Sequence, residues 1–143
     1  ERGEAATRGR NGALGGGGER REARAADLAR LAPVLRAIEE SCAEPLTLKQ
    51  LADLVHLHPA YFATWFRQVT GVTPHEYLAR YRVQRARAML LATDQTLDQI
   101  ADATGHANRS HLTRAFRRVM GVTPSEVRRS RAAGADRVVE VAR

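Results

Sequence analysis

The stretch from residue 108 to residue 124 concentrates hydrogen-bond donors and positive charge on one side of a helical pattern. The donors are Arg109, Ser110, Thr113, Arg114 and Arg117. The apolar residues Leu112, Phe116, and Val119 or Met120 recur at helical spacing on the other side. Asn108 is a favourable N-cap residue, and Gly121 suits a helix end. The pattern predicts a helix whose exposed face can contact phosphates and base edges, although most basic helix faces are merely solvated.

Charge is unevenly distributed along the 143 residues, which are enough for one core or for two small subdomains. Residues 1–44 contain eight arginines and eight acidic residues, whereas residues 45–131 contain thirteen basic and six acidic residues. The whole formal charge of +7 therefore lies in the segment that carries the helical patterns. Such a distribution is typical of proteins that bind a polyanion.

The chain contains an internal repeat. Residues 71–74, Gly-Val-Thr-Pro, recur unchanged as residues 121–124, an offset of 50. Upstream, Leu51-Ala52-Asp53 matches Ile100-Ala101-Asp102 at an offset of 49, so the second copy has one extra residue in its turn. Each copy has two short helical patterns separated by a short turn, which is the helix-turn-helix motif.

These patterns predict an all-α fold in which two helix-turn-helix subdomains are joined by a long central helix. Within a domain over 27–131, the first unit spans about 47–70, the linking helix about 75–92 and the second unit about 97–120. A helix over 33–43, with Pro33 in its first turn, is predicted to cover the core. Residues 1–26, rich in Gly, Arg, Glu and Ala, are predicted to be a flexible linker or disordered arm, and residues 132–143 a C-terminal tail.

Residues 33–129 resemble the C-terminal DNA-binding domain of the AraC/XylS family of bacterial transcription regulators. The matching residues are Ile100-Ala101, Gly105, Ser110, Phe116, Gly121, Pro124 and Arg128 in the second unit, with Tyr77-Leu78, Arg82 and Leu90-Leu91 in the linking helix. The residues that depart from the family pattern are His56, His58, His106, Leu112 and Val127, and glycine is common at position 56. The resemblance implies two recognition helices in successive major grooves on one face of the duplex. A linking helix of about 27 Å is consistent with grooves about 34 Å apart.

The resemblance also assigns the residues that face the grooves. In the first recognition helix they are Pro59, Ala60, Ala63, Thr64 and Arg67, and in the second Asn108, Arg109, Ser110, Thr113, Arg114 and Arg117. Alanine and the threonine methyl group can contact thymine methyls, whereas arginine can bond to O6 and N7 of guanine. We therefore expect the second unit to supply the polar part of specificity and the first to read apolar contacts and shape.

Phosphate contacts are predicted at helix starts and at exposed arginines. The candidates are Thr47, Thr96, Arg80, Arg82, Arg117 and Arg118. Thr47 and Thr96 begin helices whose first N–H groups can bind a phosphate. Arg82 has a structural alternative, in which an ion pair holds the linking helix to a subdomain.

The remaining reactive side chains are predicted to be structural. His56, His58 and His75 have no Cys or acidic partner at a usual ligand spacing, so turn and cap roles are favoured over a metal site, and a partly buried packing role is favoured for His106. Tyr61 and Trp65, at a helical interval, favour core packing over stacking on single-stranded nucleic acid. No catalytic residue, metal site or cofactor is predicted.

Cys42 is the only cysteine, so the chain cannot form an internal disulfide or a cysteine-based zinc site. An enzyme that uses this thiol, as in repair proteins with similar DNA-binding domains, is one alternative. The acidic residues Glu39, Glu40 and Glu44 disfavour the thiolate, so an inert thiol is the prediction.

Double-stranded DNA is the predicted partner, and the bacterial cytoplasm, with association to the nucleoid, is the predicted location. No run of about 18 apolar residues is present, so no membrane span is predicted. The missing initial Met suggests a fragment or a processed chain, and the resemblance implies RNA polymerase as a further partner and an effector or dimerisation domain ahead of the Gly-rich segment. The alternative function is a protein-interaction module in which the same helices contact RNA polymerase or a partner regulator.

Overall fold

A computed structural model describes the main chain of residues 2–141 and the side chains of residues 16–134. Over residues 2–141 the chain forms helices and no strand. The helices are α1 (Arg2–Ser41), α2 (Leu48–Leu54), α3 (Pro59–Thr70), α4 (Pro74–Ala92), α5 (Leu97–Ala103), α6 (Arg109–Met120) and α7 (Pro124–Val141). The predicted all-α fold is confirmed: α2 and α3 form the first helix-turn-helix unit, α4 is the linking helix, and α5 and α6 form the second unit.

The repeat extends to the hydrogen bonds that begin the helices. The hydroxyl of Thr47 accepts from the Gln50 N–H at 3.1 Å, and the Gln50 side chain accepts from the Thr47 N–H at 2.9 Å. Thr96 and Gln99 form the same capping box at the start of α5. Threonine–glutamate boxes begin α4 and α7 in the same way. Because such boxes involve residues only three apart, local sequence is sufficient to define these helix starts.

Two apolar clusters form the core, one under each unit. In the first, Val34 and Ile38 of α1 pack with Phe62 and Phe66 of α3, whose ring centroids lie 5.8 Å apart. In the second, the residues of α4 are Val83, Ala86 and Leu90, and those of α6 are Leu112 and Phe116. Helix α4 therefore covers the second unit as α1 covers the first.

Helix α1 is longer than predicted, because it runs from Arg2 to Ser41 without a start at Pro33. The prediction of a flexible or disordered arm over 1–26 therefore differs from the structure wherever the main chain is described. Residues 19–30 are mostly Ala, Arg and Glu, which favour helix. Asp27 and Arg30 of α1 also contact Trp65 of α3, and composition cannot reveal such long-range contacts. Gly16, Gly17 and Gly18 have nothing within 4 Å of a potential Cβ, so no packing supports the helix there.

The predicted C-terminal tail also differs from the structure. Helix α7 continues through residues 132–141 from its start at Pro124. Helix formation is favoured because only Gly134 interrupts a run of helix-compatible residues. The side chains of residues 1–15 and 135–143 lie outside the part of the chain that the structure describes.

In each repeat, arginines on the helix that follows the unit bind the C-terminal end of the helix that precedes the unit. Arg82 of α4 donates from Nε to the carbonyl oxygen of Cys42 at 2.7 Å and from Nη2 to that of Glu44 at 2.9 Å. In the second repeat, Arg128 and Arg131 of α7 donate to carbonyl oxygens of residues 90–95 at the end of α4. Carbonyl groups at a helix C-terminus have no partner within the helix and favour a cation. These bonds close each unit between its two flanking helices.

Gly105, in the second turn, lies against the Arg82 contact. Its φ of +80° is in the left-handed region, and a Cβ there would lie 2.5 Å from the carbonyl oxygen of Cys42 and 2.9 Å from Nε of Arg82. The turn of the second unit therefore contacts both the end of α1 and the linking helix. Through these contacts the second unit is packed against α1 and α4, the two helices that flank the first unit.

Candidate nucleic-acid interface

Helix α6 exposes the donors that the sequence predicts for a DNA groove. Leu112 and Phe116 are fully buried and fix which side of the helix faces the core. Asn108 caps the helix, with Oδ1 accepting from the His111 N–H at 2.9 Å. Ser110, Arg114 and Arg117 lie opposite the buried stripe and are exposed, while Thr113 is half-buried. Asn108 and Arg109 are exposed at the start of the helix, so the predicted residues lie on the opposite face and on the first turn.

Arg109 has a partner that the sequence does not predict. Its Nε donates to Oδ1 of Asp98 at 3.1 Å, and its Nη2 donates to Oδ2 at 2.7 Å. The side chains of Arg109 and Asp98 are 62% and 58% exposed, so the pair lies at the surface. The hydrogen bond from Arg109 lowers the pKa of the Asp98 carboxyl, and the same bond raises the pKa of Arg109. Both groups are therefore charged at neutral pH.

Helix α3 presents a less polar face. His58 caps it, with Nδ1 accepting from the Ala60 N–H at 3.2 Å, and Pro59 occupies the first turn. Ala60, Thr64 and Arg67 are exposed, whereas Pro59 and Ala63 are half-buried. The Thr64 hydroxyl donates to the Ala60 carbonyl oxygen at 3.3 Å and leaves its methyl group on the surface. Apart from Arg67, this face can offer apolar contacts rather than hydrogen bonds.

Tyr61 is exposed, contrary to the prediction that it joins Trp65 in the core. Trp65 is buried, with 7% of its surface exposed. Its Nε1 donates to Asp27 of α1 at 3.2 Å, and the Arg30 guanidinium lies 5.7 Å from the centroid of its ring. Tyr61 is 61% exposed and lies at the edge where the core side of α3 meets the predicted groove side. Which of the two aromatic side chains is buried depends on the side of α3 that α1 covers. The residue spacing within α3 does not indicate that side.

The two turns solve the same backbone problem with different residues. Gly105 has φ +80°, and His56, at the matching place in the first turn, has φ +57°. Glycine adopts this region without steric cost, whereas histidine does so under strain. The prediction that His56 and His58 serve as turn and cap residues agrees with their positions, because His58 is the N-cap of α3.

His106 is half-buried beside Thr104, whose hydroxyl donates to the Ile100 carbonyl oxygen at 2.7 Å. The Thr104 hydroxyl oxygen and Nδ1 of His106 lie within hydrogen-bond distance of each other, at 2.9 Å. Burial lowers the pKa of His106, and the positive charges of Arg82 and His111 lower it further. The imidazole is therefore neutral at pH 7 and packs as predicted.

The phosphate candidates separate into three groups. The hydroxyls of Thr47 and Thr96 bond within capping boxes, so the candidate phosphate donors there are the first backbone N–H groups of α2 and α5. Arg80, Arg117 and Arg118 are exposed. The prediction that Arg82 contacts a phosphate is corrected, because its guanidinium donates to two carbonyl oxygens. Burial also lowers its pKa. The structural alternative is the one that the geometry supports, through carbonyl groups instead of the predicted ion pair.

Other chemistry has little support in the described residues. Cys42 is buried at 3% exposure. Among the side chains that the structure describes, no group of three His, Cys, Asp or Glu residues is placed to hold a metal ion. None of the described helices is both long and apolar enough to cross a lipid bilayer.

Two helix-turn-helix units in tandem, with an exposed cationic recognition helix, define a DNA-binding protein of the helix-turn-helix class. The helix-turn-helix domain family matches residues 51–130. The crystal structure of an AraC-type DNA-binding domain from Chromobacterium violaceum superposes with a TM-score of 0.69 at 29% identity, covering 76% of this chain and 96% of that one. The chain belongs to the AraC-type helix-turn-helix family, whose members bind specific DNA sequences to regulate transcription and are not enzymes in this domain.

Two further relatives extend the comparison. The DNA-binding domain of AdpA, a global transcriptional factor solved in complex with a target DNA, has a TM-score of 0.67 at 30% identity and covers 72% of this chain and 93% of that chain. The uncharacterised transcriptional regulator YobQ of Bacillus subtilis is 41% identical over 81 residues, which are 57% of this chain and 34% of YobQ. The chain spans about a third of the length of the first curated relatives that it matches.

Proposed function

We propose that one copy of this chain reads a bipartite DNA site, with α3 and α6 in successive major grooves on one face of the duplex. The observation that carries the proposal is the duplicated unit, in which each second helix buries an apolar stripe and exposes the opposite face. Helix α4 has 19 residues and is about 28 Å long, which suits two grooves about 34 Å apart.

The second unit supplies the hydrogen-bond readout in this proposal. Ser110, Arg114 and Arg117 are exposed on α6, and Arg109 lies at its first position. A bidentate contact of arginine with guanine contributes about 1–3 kcal/mol of discrimination. The capping bond occupies Oδ1 of Asn108 but leaves its amide hydrogens as donors.

The first unit reads shape and apolar features. Ala60, Ala63 and the methyl group of Thr64 suit thymine methyls, and Arg67 suits a phosphate or a guanine. The hydroxyl of the exposed Tyr61 is a candidate donor to a phosphate at the groove edge. Backbone N–H groups after Thr47 and Thr96, with Arg80 and Arg118, complete the candidate phosphate contacts.

In vitro selection of bound duplexes, followed by footprinting, tests the bipartite site. We expect two protected patches about one helical turn apart on one face. Arg109→Ala should relax base preference only in the second half-site, and Ala63→Ser only in the first. A single protected patch contradicts the two-unit arrangement, and equal losses at both half-sites contradict the division of roles.

RNA polymerase and an upstream effector or dimerisation domain are the proposed protein partners, in the bacterial cytoplasm with the protein bound to the nucleoid. The greater length of the curated relatives supports a further domain in the whole protein. An exposed depression between α4 and α7, which includes Leu91 and Val122, contains none of the proposed DNA-facing residues and is available for protein contact.

Salt dependence separates DNA binding from a module that contacts proteins alone. Each phosphate that an arginine or lysine neutralises contributes a slope of about −0.9 to a plot of log K against log salt. Three or four such contacts, from Arg67, Arg80, Arg117 and Arg118, therefore imply a slope of roughly −3 to −4. A slope near zero on duplex DNA would favour the protein-interaction alternative.

A further inference from the structure

The pair of Asp98 and Arg109 connects the first turns of α5 and α6. The two residues are 11 positions apart, and both hydrogen bonds of the fork are present. We propose that Asp98 is a positioning residue that orients Arg109 toward a guanine in the second half-site. This inference rests on the proposed role of Arg109 as a reader of DNA bases.

The guanidinium group has donors on two edges, which makes both contacts possible at once. Asp98 occupies the edge formed by Nε–H and one Nη2–H. The other edge, formed by Nη1–H and the second Nη2–H, keeps the two parallel donors that fit O6 and N7 of guanine. Arg109 can therefore bind a guanine without releasing the carboxylate.

Stability does not account for this pair. Both side chains are more than half exposed, and an exposed ion pair contributes little to folding. The effect of the pair is to hold a long, flexible side chain in one orientation before DNA arrives. A binding group that is ordered in advance loses less entropy on binding.

The first unit provides an internal comparison. By the repeat offsets, Lys49 stands where Asp98 stands, and Pro59 stands where Arg109 stands. Lys49 instead lies 3.5 Å from Asp53 on its own helix. The carboxylate–arginine fork therefore belongs to the unit whose recognition face is rich in donors, and it is absent at the matching positions of the apolar one.

The opposite role for Asp98 is to restrain Arg109 or to repel phosphates. A carboxylate close to the DNA backbone weakens binding to every sequence alike. Restraint and orientation make different predictions for base preference, because only orientation changes the ratio between the preferred base pair and the others.

The experiment measures binding of the whole chain to a duplex obtained by in vitro selection and to duplexes with each base pair of the second half-site replaced. Arg109→Ala should lower discrimination at one guanine by about 5- to 150-fold, equivalent to 1–3 kcal/mol. Asp98→Ala should lower it at the same base pair by roughly twofold to tenfold, from the cost of ordering one long side chain on binding. Asp98→Ala should have no further effect on discrimination when Arg109 is already alanine.

Two further variants keep the result interpretable. Asp102→Ala removes an exposed carboxylate from the same short helix, away from the fork, and should leave discrimination unchanged. Asp98→Asn removes the charge, retains an oxygen acceptor and should preserve part of the discrimination. Thermal unfolding of each variant shows whether the fold is intact.

The outcomes distinguish the two proposals. If Arg109→Ala changes no base preference, Arg109 does not read a base, and this inference fails while the readout proposed for Ser110, Arg114 and Arg117 stands. If Arg109→Ala relaxes one position but Asp98→Ala only raises affinity for all duplexes, Asp98 restrains binding and the positioning role alone is overturned. A loss of discrimination in Asp98→Ala at the position read by Arg109 supports it.

Discussion

Replacement of Gly105 by alanine should destabilise the chain more than the same change at Gly121. Their φ angles are +80° and +77°, and a left-handed alanine costs about 1–2 kcal/mol in either place. At Gly121 nothing lies within 4 Å of the added Cβ, so that cost is the whole effect. At Gly105 the Cβ would lie 2.5 Å from a backbone carbonyl oxygen. Overpacking of this kind adds about 1–3 kcal/mol, for a total of roughly 2–5 kcal/mol.

Urea unfolding of the two variants measures this difference, provided that both have the slope of the unmodified chain. Gly71→Ala is a second control, because Gly71 has φ +85° and open space around it. The Gly105→Ala change made together with Arg82→Ala separates the steric cost of the Arg82 side chain from that of the Cys42 carbonyl group. It removes the atoms at 2.9 and 3.1 Å but leaves the Cys42 carbonyl oxygen at 2.5 Å.

The excess cost at Gly105 should therefore shrink in the Arg82→Ala background without disappearing. Equal destabilisation of the three alanine variants would refute the argument that the second turn is packed against the end of α1. Complete loss of the excess when Arg82 is absent would show that the side chain alone limits the space.

Three other predictions concern the turns and α1. His56→Gly should stabilise the chain by about 0.5–1 kcal/mol in urea unfolding, since relief of left-handed strain exceeds the added entropy of glycine in the unfolded chain; a destabilised variant would contradict this. The pKa of His106 is lowered from 6.5 in the folded state, so the unfolded state binds more protons, and the free energy of unfolding falls as the pH drops below about 6.5 through the folded pKa. Replacement of His106 by leucine, the residue at the matching position 57, should remove that part of the pH dependence. An unchanged pH profile would exclude His106 as its source. Gly17→Ala should raise helicity in circular dichroism and stabilise α1 by about 1 kcal/mol, whereas no change would favour a flexible segment.

Short-range patterns made much of the fold predictable. The capping boxes at Thr47 and Thr96 join residues three apart, and the glycines after α3 and α6 mark helix ends within one turn. Helical periodicity identified Phe62 and Phe116 as core residues, and the repeat of residues 71–74 indicated the duplication. Each of these signals arises from interactions within a few residues, which a single sequence displays directly.

The candidate site was predictable only in part, for the same physical reason. Exposure of Ser110 and Arg114 follows from the stripe opposite them. Exposure of Tyr61 does not, because it depends on where α1 crosses α3. The pairing of Arg109 with Asp98 depends on how α5 and α6 cross, and no pattern in either helix indicates it.

The sequence by itself determined the class of fold, the two recognition helices and the residue types on their faces, because helix propensity, capping and periodicity are local. Only the tertiary structure decided which partner each of these charged side chains contacts. Arg82 binds the carbonyl of a residue 40 positions away, and Arg109 binds a carboxylate on another helix. An arginine on an exposed face is equally suited to a phosphate, a carbonyl or a carboxylate, and only the packing of the helices brings one of these partners within reach.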